Sequence, residues 1–161
     1  MDWHEALRWN IEAAVGGALA SLLLLGLFWL TLHDVFRPRA ALRTFLEERL
    51  RPFTEHASIL QLATISILAG IGEEALFRGA LQAGLCARFG SGVALAVASM
   101  AFGVAHAVCS AYAVVATVIG GFLGLEYLAT GSLWTPIVTH ASYDFLALVY
   151  WLRIYRPPDR P

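Results

Sequence analysis

Apolar residues in this chain come in runs too long for the helices of a water-soluble domain. The first, residues 13–32, holds no charged side chain and has the length of one membrane-spanning helix. A second apolar run opens at Ala57 and is continued by an acid-bearing stretch as far as Arg88. That is too long for one upright span, so the pattern predicts a tilted or bent helix, with Gly70 and Gly72 at the bend. From Phe89 to Leu125 no Asp, Glu, Lys or Arg occurs, which is enough for two spans joined by a tight connection at residues 107–111. The last run, residues 133–152, follows a turn at Gly131-Ser132.

The polar segments between these runs orient them. Residues 33–56 carry Arg37, Arg39, Arg43, Arg49 and Arg51, while Leu42, Phe45, Leu46 and Leu50 share one helical face. That pattern predicts an interfacial helix lying on the membrane, opened by Pro38 and closed by Pro52. Arg153, Arg156 and Arg160 follow the last span. Basic loops stay in the cytoplasm, so the pattern predicts an outside N-terminus and a cytoplasmic C-terminus. The first span follows Asp2, Glu5 and Glu12 and no basic segment, and reads as a retained anchor. The expected fold is all-α: a polytopic bundle of about five spans plus one interfacial helix. Residues 1–56 form the anchor and interfacial helix, residues 57–152 the core, and residues 153–161 a basic tail.

Composition agrees. Of 161 residues, 58% are hydrophobic and only 14% charged, with a mean hydropathy of +0.66, which describes an integral membrane protein. A net charge of −1 excludes a nucleic-acid partner, which would call for a basic surface. Cys86 and Cys109 have no metal-type spacing and read as small buried hydrophobes. Gly16, Gly17 and Ala20 offer a patch for close helix approach, and Gly120-x-x-x-Gly124 another. Glu126, beside Tyr127, reads as an ordinary interfacial acid.

Ionisable residues inside apolar helices need a reason, because each costs at least a few kcal/mol in hydrocarbon. They fall here in three sets: Glu73-Glu74-x-x-x-Arg78, Phe102-x-x-x-His106 and His140-x-x-x-Asp144. The four-residue spacing puts each pair on one helix face, so three helices can converge on one polar pocket. Glu74 lies four residues before Arg78, the better orientation for an ion pair. Glu73, about 100° round the helix with Phe77 on its face, has no cation at helical spacing and is left free for chemistry.

The ordered set EEALFR, FGVAH and HASYD resembles the CAAX protease and bacteriocin-processing family of intramembrane endopeptidases, which includes the Ras-converting enzyme. Phe77-Arg78-Gly79 and Thr130-Gly131-Ser132-Leu133-Trp134 match the flanking texture, and the resemblance covers roughly residues 57–150. Two positions depart from the pattern: Gly70 stands where many members have Pro, and Asp144 where the Ras-converting branch has Asn. The resemblance implies a glutamic-type endopeptidase of the cytoplasmic membrane of a prokaryote. Its substrates would be CAAX-type tails, leader peptides or, as in short myxosortase-like members, C-terminal sorting signals. Glu73 with His106 would activate a water, and His140 with Asp144 would serve the oxyanion. Asp144 can help there only if protonated or if its charge is spent on His140. Glu74, Arg78 and Phe102 would support the others.

Three alternatives stay open. Glu73, His106 and His140 are chemically sufficient for zinc, although no His-Glu-x-x-His motif is present and the expected chemistry uses no cofactor. A non-catalytic scaffold or bacteriocin-immunity protein could keep the polar network for stability. A small proton-coupled transporter would show inverted repeats, and the sequence has none.

Overall fold

The computed structural model describes residues 10–32 and 44–155, and every regular element among them is helical. α1 (Ile11–Leu32) is the first span. A π-helical turn (Leu46–Leu50) runs on into α2 (Arg51–Thr54). One unbroken rod, Ile59–Phe89, then joins α3 (Ile59–Glu74), a π-helical segment (Ala75–Gln82) and α4 (Ala83–Phe89). After it come α5 (Ser91–Ala105), α6 (Ser110–Thr130) and α7 (Trp134–Val149), which ends in a π-helical turn (Tyr150–Ile154).

Local chemistry sets these boundaries. Ser58 and Gln61 form a reciprocal capping box that starts α3, satisfying two backbone donors at the helix start. Gly90, at φ +81°, is the whole connection between α4 and α5, and Gly131, at φ +65°, ends α6; a side chain at either would be strained. The expected connection near residues 107–111 falls at residues 106–109, between α5 and α6.

Two expectations are corrected. Pro52 does not close the interfacial helix, which continues to Thr54. It sits in the first turn of α2, where the missing N–H is tolerated; Pro38 and Leu42 lie outside the described residues. Nor do Gly70 and Gly72 mark the irregularity of the long rod. Both lie in regular α-helix, and the widened turns begin at Ala75, within the acid motif. Gly70 is small because α7 crosses it: a Cβ there would stand 3.0 Å from the Ile137 carbonyl oxygen and 3.0 Å from the Ala141 side chain.

By length and composition α1, the Ile59–Phe89 rod and α6 can each cross a membrane. Their outer faces carry exposed Leu19, Leu23, Leu68, Val114 and Val118, a surface suited to hydrocarbon and not to water. α7 lies inside the bundle, packed by α1, α3 and α6. α5 is apolar but has only 15 residues, about 22 Å of helix against roughly 30 Å of hydrocarbon. It is capped at its C-terminus by His106, which lines a cavity together with Phe102 one turn earlier.

The small patch on α1 works as expected, against α7. A Cβ on Gly17 would lie 2.6 Å from the Thr135 carbonyl oxygen and 3.0 Å from the Val138 side chain, whereas one on Gly16 would meet nothing within 4 Å. Gly17→Ala should therefore destabilise the bundle by about 1–3 kcal/mol, the usual range for overpacking, and Gly16→Ala should not. Thermal unfolding of the two variants in one detergent checks this.

Candidate active site

The site is built outward from Arg78. Its guanidinium is buried and donates to Glu74 Oε1 at 2.8 Å through Nη1 and to the Gly120 carbonyl at 2.6 Å through Nη2. One turn on, Gln82 donates to the Gly124 carbonyl at 2.9 Å. The glycines of Gly120-x-x-x-Gly124 thus do more than let helices touch: they expose two carbonyls on α6 that fix the rotation of the rod. The Arg78 Cζ also lies 4.8 Å from the centre of the Phe102 ring, a cation–π contact from α5.

Glu74, fully buried, takes a second partner on the same oxygen, His140 Nδ1 at 2.8 Å. The opposite ring nitrogen of His140, Nε2, lies 3.4 Å from Asp144 Oδ2. Asp144 lines the cavity and Glu74 does not, so Nε2 is on the cavity side. Spending the Asp144 charge on His140 would make Asp144 the group that holds the ring; the structure differs, with Nδ1 held by Glu74 at 2.8 Å and Asp144 beside the cavity-side Nε2 at 3.4 Å.

On the other wall, His106 terminates α5 with its Nδ1 2.8 Å from the Phe102 carbonyl. A carbonyl only accepts, so Nδ1 carries the hydrogen, and in the neutral ring Nε2 presents a lone pair. That Nε2 faces Glu73 Oε2 at 3.4 Å, and Glu73 Oε2 is buried with no hydrogen bond. Phe102 stands between the two imidazoles, stacked on His106 at 4.4 Å and edge-on to His140 at 5.9 Å. Phe77 packs edge-on against Phe102 at 5.0 Å. Glu73, Phe102, His106, His140 and Asp144 all line one cavity of about 250 Å³. All seven residues singled out in the sequence are therefore linked in a chain of contacts, with Phe102 at its centre, Glu73 at one end beside His106 and Asp144 at the other beside His140.

A family model, Rce1-like type II CAAX prenyl endopeptidase, matches residues 55–146. The chain belongs to that family. No curated protein and no solved structure matches it. Membership makes this integral membrane protein a protease of the CAAX type, which acts on a peptide or protein substrate in a membrane setting.

For a protease of this family the zinc alternative can be tested on the donors. His140 has both nitrogens engaged, by Glu74 and Asp144, and His106 has Nδ1 engaged by a carbonyl. Among the described residues no three His, Cys, Asp or Glu side chains are arranged to hold one ion. The donor set does not fit zinc as it stands, because His140 would first have to give up a carboxylate.

Sequence reasoning missed several participants. Gln82 continues the Glu74, Arg78 stripe by another four residues, a signal that was legible. Glu126 is not an outward interfacial acid: it hydrogen-bonds the buried Thr139 hydroxyl at 3.0 Å, and its second oxygen is buried without a hydrogen bond. Tyr112 and Tyr143 line the cavity, with no pattern to announce them.

Because Arg78 and Glu74 are about 1% exposed or less, removing the cation strands a buried carboxylate. Arg78→Leu should lower stability by about 3–5 kcal/mol and loosen His140 with it. Calorimetric unfolding beside the wild type measures the first effect, and imidazole NMR line widths of His140 the second.

Proposed function

We propose that this chain hydrolyses a peptide bond with a water held between Glu73 and His106. The observation that carries the reading is the Glu73–His106 contact. With Nδ1–H committed to the Phe102 carbonyl, neutral His106 turns a lone pair at Nε2 toward Glu73 Oε2, which lies 3.4 Å away and has no hydrogen bond of its own. A water on the cavity side of the pair donates to Glu73 Oε2 and lies within reach of His106 Nε2. Both groups line the cavity, so that water meets a substrate carbonyl there.

Glu73 takes the proton from the water as it attacks, and later gives it to the leaving amine. The oxyanion that forms meets His140 Nε2–H, which already lies at the cavity beside Asp144, while Glu74 keeps hold of Nδ1. Such a donor, fixed before the reaction, favours the transition state over the planar substrate. Asp144 spends its charge on His140, and Glu74 and Arg78 act as positioning residues. The cycle uses no metal.

The membrane face follows from which parts gather at the cavity. Phe45 stacks on Tyr112 at 4.9 Å, and Arg153 donates to the Glu55 and Ala57 carbonyls at 3.2 and 2.5 Å. The segment after α1, the α5–α6 turn and the end of α7 therefore share one end of the bundle, and two of them belong to the Arg-rich stretches of the sequence. By the positive-inside rule this end is cytoplasmic, and the site opens in the cytoplasmic half.

Glu73→Gln should lower cleavage of a membrane-anchored peptide pool by at least about 10²-fold, the contribution expected of a general base. Its unfolding temperature should stay near that of the wild type, since Glu73 leaves no buried cation unpaired. Wild-type activity should survive exhaustive chelation. Undiminished turnover in the variant would turn the reading toward a scaffold, and activity lost with a chelator and restored by zinc would make Glu73, His106 and His140 ligands.

A further inference from the structure

Glu126 is a half-buried acid that the proposed chemistry leaves unused. It sits in the last turns of α6, against Thr139 of α7, and it does not line the cavity of the active site. Among the described residues it forms no ion pair. The charged groups that face it, Glu74 and Arg78 of the long rod, are bonded to each other at 2.8 Å. Arg78 Nε is without a hydrogen bond, so no direct bond joins that cation to Glu126. On its other side Thr139 meets α1, at the point where Gly17 lets the two helices approach.

A count of hydrogens separates the two forms of this acid. The fully buried Thr139 hydroxyl has three oxygens around it: the Thr135 carbonyl at 3.0 Å, the Gly17 carbonyl at 3.2 Å and Glu126 Oε1 at 3.0 Å. A hydroxyl carries one hydrogen, and an ionised carboxylate carries none. With Glu126 ionised, three acceptors compete for one hydrogen. Its Oε2, buried without a hydrogen bond, then shares a charge that no cation answers. With a proton on Oε1, Glu126 donates to the Thr139 oxygen, and the Thr139 hydrogen passes to the Thr135 and Gly17 carbonyls as a shared bond. All three short contacts are then hydrogen bonds, and no unpaired charge stays among the helices.

We infer that Glu126 is a proton-binding site within the α6 span, a neutral carboxylic acid that donates to Thr139 and ties α6 to the crossing of α1 and α7. Thr139 immediately precedes His140, whose Nδ1 is held by Glu74 at 2.8 Å. Two successive residues of α7, about 100° apart round the helix, are thus gripped by two different elements. Glu126 is a positioning residue for the His140 imidazole, acting through Thr139 and taking no part in proton transfer at the cavity.

The test is infrared spectroscopy of the full chain in lipid nanodiscs, with isotope-labelled glutamate carboxyls. The wild-type spectrum minus that of Glu126→Gln should show the carbonyl stretch of a protonated acid. Thr139→Val should move that band to the higher frequency of an acid that has lost its acceptor. Because Thr139→Val keeps Glu126, its comparison with the wild type reads the same band even where Glu126→Gln fails to fold. Difference spectra that hold only the stretches of an ionised carboxylate overturn the proton-binding site. A protonated band that Thr139→Val leaves in place overturns the bond to Thr139. For the positioning role, the His140 ring resonances should broaden in Glu126→Ala and stay as sharp as the wild type in Glu126→Gln, whose amide N–H replaces the donor. Unchanged line widths in Glu126→Ala overturn that role and leave the proton where it is. None of these readouts depends on turnover, so they stand apart from the fate of the peptidase reading.

Discussion

A buried guanidinium in the middle of an apolar bundle is the constraint on which the rest of this structure depends. Arg78 is about 1% exposed, and while its Nε stays without a hydrogen bond, its Nη1 and Nη2 hydrogens go to Glu74 on its own helix and to the Gly120 carbonyl on α6. Leaving them unmet would cost several kcal/mol. Glu74, pinned in this way, is the fixed acceptor that orients His140 from α7. Phe102 from α5 covers the cation and stacks on His106. Four helices are thereby held in register by one side chain, and the residues facing the cavity inherit their positions from it.

This arrangement divides two adjacent acids by environment. Glu74 points into the bundle, fully buried and bonded to Arg78 and His140. Glu73, one residue earlier, reaches the cavity and is about one-third exposed. A helix turns about 100° per residue, which suffices to give neighbouring carboxylates different tasks: one holds structure and the other is available for proton transfer. The short α5 completes the site, because its C-terminal turn brings Phe102 and His106 to the cavity wall. The segment between α1 and α3 bounds that cavity.

Much of this was legible from residue spacing, for a physical reason. Charged side chains in hydrocarbon are so costly that their positions are informative, and Glu74 with Arg78, Phe102 with His106, and His140 with Asp144 each meet at the four-residue spacing. Gly17 was legible as a contact, since a run of small residues in a span has few other uses. The bonds to the Gly120 and Gly124 carbonyls were not, because a carbonyl acceptor leaves no mark on side-chain pattern. Glu126 was misread because proximity to a helix end says nothing about which way a side chain turns. The π-helical segment Ala75–Gln82 was displaced from the glycines expected to cause a bend. Its widened turns coincide with the two side chains that bond to α6, an effect of tertiary contacts and not of local composition.

The central claim is that Glu73 and His106, from different helices, act as one unit on one water. A double-mutant cycle in single-turnover cleavage, with Glu73→Gln, His106→Gln and the pair, measures this most directly. Residues that act as a unit are strongly non-additive, so each single variant should lose nearly as much rate as the double variant. Losses that multiply, or a His106→Gln protein that cleaves at the wild-type rate, would contradict the account.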